Sequence, residues 1–138
     1  TGAIAAQQAL RLPEGAASAE LDRFCAVTGA DLVRQVLQQL EQGVLLQQPQ
    51  PAGGSQHSWP TAADFRLSPQ WSARHAYTFM RGTDEWQQPY PLAMAGQELL
   101  LRRALAYAPA QQLDCPFVYS GREVLVQLTP GVLRALLW

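Results

Sequence analysis

Lysine is absent: all ten basic side chains of this 138-residue chain are arginine, set against 11 carboxylates for a formal net charge of −1. A nucleic-acid-binding domain usually carries a basic excess, because phosphate neutralisation supplies most of its affinity. This chain has none, so any such binding is expected to be weak and to rest on a few arginines. Ala, Leu and Gln are abundant throughout, and the missing lysine reflects that bias as much as function. Cysteine is scarce too. Cys25, in a helical pattern, and Cys115, in a strand pattern, have no close partner, which argues against a disulfide or redox pair and leaves both expected as buried small hydrophobes. No stretch approaches the roughly 18 apolar residues of a membrane span, and no cleavable leader is legible. The cytoplasm is the expected compartment.

The chain length suits one domain plus a fragment of another. Thr1-Gly2-Ala3-Ile4 opens as an extended apolar run, and Gln7 to Leu12 reads as extended up to Pro13 and the Glu14-Gly15 turn. Ser18 stands at a helix N-cap with Glu20 in the first turn, where a negative charge suits the helix dipole. Leu21, Phe24, Cys25 and Thr28 follow at helical spacing, and Thr28-Gly29-Ala30 is expected to divide this helix from a second. The second places Leu32, Val33, Val36, Leu37 and Leu40 on one apolar face, read as core, and ends at Gly43.

Residues 47–57, with Pro49-Gln50 and Pro51 and followed by Ser58-Trp59-Pro60, have the composition of a linker. Beyond it, Phe65-Arg66-Leu67 reads as a short strand. A helix is expected from Ser68-Pro69 to Gly82, with Trp71, Ala73, Ala76, Tyr77 and Met80 on its apolar face. Strands are expected at 99–107, 117–119, 124–128 and 132–137, with turns at Ser120-Gly121-Arg122 and Thr129-Pro130-Gly131. The predicted class is α+β, with a helical segment over 1–46, a linker over 47–57 and a small β-barrel over 58–138.

Read in order, Thr1-Gly2, the helical stretch Ser18 to Gly43 broken at Gly29-Ala30, Pro49-Gln50, Asp64-Phe65-Arg66-Leu67, Ala73 and Phe79-Met80-Arg81 share a register with a known family. The chain resembles the C-terminal part of the folate-dependent formyltransferases, the methionyl-tRNA formyltransferases above all, from just after the catalytic aspartate. The resemblance implies that residues 1–46 are the end of a catalytic domain and that the barrel is OB-like. It also implies that the parent enzyme transfers formyl from 10-formyltetrahydrofolate to an amine, with Asn and His holding the oxyanion and Asp tuning the His. All three lie outside this sequence, so the chain itself is expected to have no catalytic residue and to bind no folate. Gly82-Thr83-Asp84-Glu85-Trp86 departs from the family's Asn-Pro-x-Pro-Gly run, which leaves a non-tRNA amine open as the acceptor.

His57, in the linker, and His75, on the exposed side of a helix, have no ligand at metal spacing, so no metal is expected. Arg102, Arg103 and Arg122 are the candidates for tRNA phosphate contacts on the barrel, with a solvated surface the simpler reading, and strand alternation is expected to send Arg102 and Arg103 to opposite faces. Arg81 matches a family position at a helix end, where a cation also suits the dipole. Trp59, Trp71, Trp86 and Trp138 are potential stacking surfaces, with core or edge packing the simpler reading and Trp86, in a polar loop, the exception. Two functions therefore compete. One is the acceptor-holding end of a formyltransferase, with tRNA as partner; the other is a stand-alone OB-like interaction module. The apolar helix face is expected to dock on the barrel or on a second copy.

Overall fold

One helix, not two, runs through Gly29. In the computed structural model, which describes residues 2–138, α1 spans Ser18–Glu41 without interruption. A glycine inside a helix costs about 1 kcal/mol relative to alanine. That cost is spread over a long segment of good helix formers, and it does not break the helix. Gly43, at φ +72°, closes α1: its own N–H reaches the Leu40 carbonyl at 3.0 Å and that of Val44 reaches Gln39 at 3.0 Å. This is the paired C-terminal bonding that a left-handed glycine permits.

The chain forms two compact units. The first comprises Thr1–Leu12 with Ala19–Trp59. Here Ile4 and Gln48 exchange backbone bonds of 2.8 and 2.9 Å, and residues 7–12 join no ladder. The stripe expected as core is not one. No residue of α1 is buried; Leu32 and Val36 are half-covered, while Phe24, Val27, Val33, Leu37 and Leu40 are exposed. Cys25 is exposed as well, as is Cys115, which lies in a bend and not a strand. The expectation of two buried thiols is therefore corrected: neither position falls where an element packs against another.

The second unit comprises Pro13–Ser18 with Pro60–Trp138. Five antiparallel strands, β1 (Tyr90–Met94), β2 (Gln97–Ala108), β3 (Phe117–Ser120), β4 (Glu123–Gln127) and β5 (Val132–Leu137), form one sheet in the order β1-β2-β5-β4-β3. With the helices this is an α+β arrangement. Strand β1 is not among the expected strands, and its Pro91 is accommodated at the sheet edge, where a missing N–H is tolerated. The Pro91 carbonyl accepts from Leu67 N–H at 2.9 Å. The β1–β2 hairpin turns through Ala95 and Gly96, at φ 49° and 77°, as a two-residue turn requires.

Phe65 ends a 3-10 turn, Ala62–Phe65, and only Leu67 of the expected Phe65-Arg66-Leu67 strand bridges the sheet, to Leu92. Helix α2 (Ala73–Gly82) starts later than Ser68 implied. Ser72 is its N-cap, accepting from His75 N–H at 3.1 Å, while residues 68–71 close a turn in front of it. That turn is bonded to the β4–β5 connection: Thr129 N–H donates to Trp71 O at 3.1 Å and Ala73 N–H to Pro130 O at 2.9 Å. Gly131 is required there. At φ +93°, a Cβ on it would lie 2.7 Å from the Ala108 carbonyl oxygen.

The core is built from alternate residues of the strands and one face of α2. Leu92, Leu101, Val124, Val126, Leu133 and Ala135 meet Ala73, Ala76 and Met80, all essentially without solvent contact. Tyr90 is buried with them, and its hydroxyl keeps partners in Met80 O at 3.2 Å and Thr83 Oγ1 at 2.9 Å. A buried hydroxyl left unpaired would cost about 1–3 kcal/mol.

Residues 13–18 belong to this unit as a strap across α2. Arg74 holds the Glu14 carboxylate through Nε at 2.8 Å and Nη2 at 3.2 Å, and the Tyr107 hydroxyl donates to the same carboxylate. Gly15 lies flat on Tyr77, and its carbonyl accepts from Arg81 Nε at 3.1 Å. Ser18 Oγ bonds Gly82 O at 2.9 Å and Asp84 at 3.1 Å. The Tyr107 hydroxyl, helped by Arg74, holds Glu14 below the usual carboxylate range, while Thr61 does so for Asp64 and Arg134 for Glu123. A lowered pKa gives stability that is full above the unfolded-state value and is lost as pH falls through the folded one. The unit is therefore expected to melt at constant temperature from pH 7 to about 5 and to lose stability below about pH 4.5. In a Glu14→Gln, Asp64→Asn, Glu123→Gln variant this decline should be visibly shallower. Equal declines in thermal melts of the two proteins would contradict the assignment.

Candidate nucleic-acid interface

Two backbone irregularities decide where the candidate arginines go. In β2 the pairing with β5 runs Leu101 to Leu137 and then Arg103 to Leu136, so Arg102 is an extra, bulged residue. A bulge opposes two residues to one and suspends the alternation. Arg102 and Arg103 are accordingly both exposed, between buried Leu101 and Ala104. The expectation that they face opposite ways is corrected by that extra residue.

The second irregularity is the β3–β4 turn, where Gly121 at φ +63° precedes Arg122. This tight turn brings Arg122 beside β5 from the other side: its carbonyl accepts from Leu137 N–H at 2.9 Å. Leu136 is thus flanked by Arg103 of β2 and by Glu123 of β4, next to Arg122. Three arginines distant in sequence share one end of the sheet. Across β5, two strand spacings separate β2 from β4, about 10 Å.

Trp138 completes the arrangement. Its N–H donates to Leu100 O at 2.9 Å, it is 59% exposed, and the Arg102 guanidinium carbon lies 6.0 Å from its ring centre. That distance is at the outer limit of a cation–π contact. One carboxylate, Glu123, is in this row, and Arg134 takes it at 2.6 Å. The pairing lowers the Glu123 pKa and raises that of Arg134. Among the described residues Arg102, Arg103 and Arg122 have no ion-pair partner, whereas Arg66 and Arg74 are paired with Glu98 and Glu14. An exposed indole with one guanidinium beside it, and two further unpaired arginines at the same end of the sheet, suits an anionic, planar ligand.

Arg81 does not join them. Its guanidinium is given to Gly15 O and, at 4.0 Å, to Asp84, and only 20% of the side chain is exposed. This holds the strap, the structural role that a cation at this helix end allows, which sets Arg81 apart from Arg102, Arg103 and Arg122. The other tryptophans are elsewhere: Trp71 packs edge-on against His75 and Phe79, Trp86 lies 5.9 Å from Phe65, and Trp59 belongs to the first unit. The place of Trp138 beside Arg102 was not legible, since only pairing of β5 with β2 joins them. Among the described residues no group of three or more His, Cys, Asp or Glu comes together, and no helix is long and apolar enough to cross a membrane. No protein-family model matches the chain, and no curated protein matches it significantly.

Proposed function

We propose that this chain is the non-catalytic C-terminal portion of a 10-formyltetrahydrofolate-dependent formyltransferase of the methionyl-tRNA type, and that its second unit is an OB-like barrel helping to hold the tRNA acceptor. The formyl donor and the catalytic side chains belong, in this reading, to the rest of the enzyme. Its support in sequence is the register of Asp64-Phe65-Arg66-Leu67 and Phe79-Met80-Arg81 with that family. The barrel reading is supported by the two register shifts in β2, since bulges bend and twist a strand; the five strands themselves form an open sheet. The observation that carries the RNA-holding role is the meeting of Arg102, Arg103 and Arg122 at one end of the sheet with no carboxylate bonded to them. In the same reading, the exposed face of α1 packs on the remainder of the formyltransferase domain.

The expected tRNA affinity is weak and only moderately salt-dependent. Each phosphate contact contributes about 0.7 to 0.9 to the slope of log affinity against log salt, so three contacts give a slope of about 2 to 3. Affinity should then fall about 20- to 60-fold between 50 and 200 mM salt. Titration of labelled tRNA at several salt concentrations checks this, with Arg103→Ala and Arg122→Ala each removing close to one contact from the slope. Absence of binding even at low salt, or a slope unchanged in both variants, would remove the basis for the reading.

A further inference from the structure

We infer that the outer end of β5 is a site for an unpaired nucleotide, in which the Trp138 indole, with Arg102 above it, takes the base and Arg103 and Arg122 take the flanking phosphates. The inference rests on the nucleic-acid reading of this face and narrows it to single-stranded ends or loops. Along β5, Leu133 and Ala135 are buried and Leu137 packs on the core, whereas Arg134 is exposed and Leu136 partly so. Alternation therefore sets Arg134, Leu136 and Trp138 on the solvent side, in line with the exposure of Trp138. Leu100, 42% exposed, lies beside Trp138 through the Trp138 N–H to Leu100 O bond. The result is an apolar, aromatic floor bordered by cations.

Phosphate contacts alone would need only the arginines, and these would accept duplex as readily as single strand. The indole changes that. A base can stack on it only when freed from its own neighbours, and such stacking strengthens binding by about tenfold or more per base whatever the base. The Arg102 guanidinium, already 6.0 Å from the ring, can close over the far side of a stacked base or stay on the indole edge. Glu123, the one carboxylate in the row, is neutralised by Arg134 and so repels a phosphate little.

The test uses the whole chain and fluorescence anisotropy with a short labelled RNA strand, the same strand in duplex, and the same strand made abasic in its middle. Wild-type protein should bind the intact single strand about tenfold more tightly than either other form. Trp138→Ala should erase that preference without changing the salt slope, because no phosphate contact is lost, and Trp138→Phe should restore most of it. If Trp138→Ala binds the intact strand as wild type does, or if duplex binds equally well, the stacking site is refuted. In that event a loss of all binding in Arg103→Ala, Arg122→Ala would leave the arginine reading standing. No RNA binding in any form would end both. An acidic peptide that binds as tightly as the single strand and competes with it would reassign the face to a protein partner.

Discussion

Reversing Arg103 and Arg122 together to glutamate is expected to lower RNA affinity by more than about 100-fold at low salt. Each substitution removes a phosphate contact and sets a negative charge where a phosphate would lie. Arg103 lies opposite Leu136 on β2 and Arg122 is bonded through its carbonyl to Leu137 from the β3–β4 turn, so of the neighbouring cations only Arg102 is left unpaired, Arg134 being held by Glu123. The fold should survive unchanged, within about 0.5 kcal/mol, because both side chains are exposed and make no ion pair. Reversing Arg11 and Arg23, outside this unit, makes the same change in net charge and should cost far less affinity. Equal losses in the two double variants would mean that overall charge, and not this face, governs binding. Arg81→Ala should show the opposite pattern: a lower melting temperature from the freed strap and an unaltered salt slope.

Truncating Leu133 to alanine is expected to destabilise the second unit by about 3 kcal/mol or more, which in a unit of this size lowers the melting temperature by about 15 °C. Leu133 has no solvent contact and sits in β5, the central strand of the sheet, so the vacated volume is lined by residues the sheet holds in place. Leu136→Ala, three residues on and on the outer side, should cost about 1 kcal/mol or less. Chemical denaturation of the two variants checks this. Comparable losses would show that the sheet is covered on both faces, and that the outer end of β5 is core and not a binding surface.

The legible part of this protein is what local pattern controls. The alternation of Val124, Val126 and Leu128 with Leu125 and Gln127 announces β4, since a strand half-buried at period two can be read from its own residues. Gly43, Gly121 and Gly131 announce their breaks because only glycine adopts those backbone angles cheaply. The misreadings have the same origin as the successes. Gly29 looks like a break but has only a propensity cost, and β1 is hidden by Pro91 and by an Ala95-Gly96 turn that carries a weak signal.

The candidate site lay in the sequence only as a set of names. Arg102, Arg103 and Arg122 could be chosen for their chemistry, and Arg81 could be chosen on the same grounds. Only the tertiary structure separated them, because the bulge at Arg102 and the pairing of β5 with both β2 and β4 are long-range facts that no window of residues contains. Trp138 was placed beside Arg102 by the same pairing, and Arg81 was taken away by the strap from Pro13–Ser18. Sequence by itself determined which segments carry an apolar face and where most of the backbone turns fall, since both are set by neighbours within a few positions. It did not determine whether such a face is buried, as the exposed stripe of α1 shows. Which cations meet, and which are already spent, was decided by strand order and register, where one inserted residue moves a side chain to the other face.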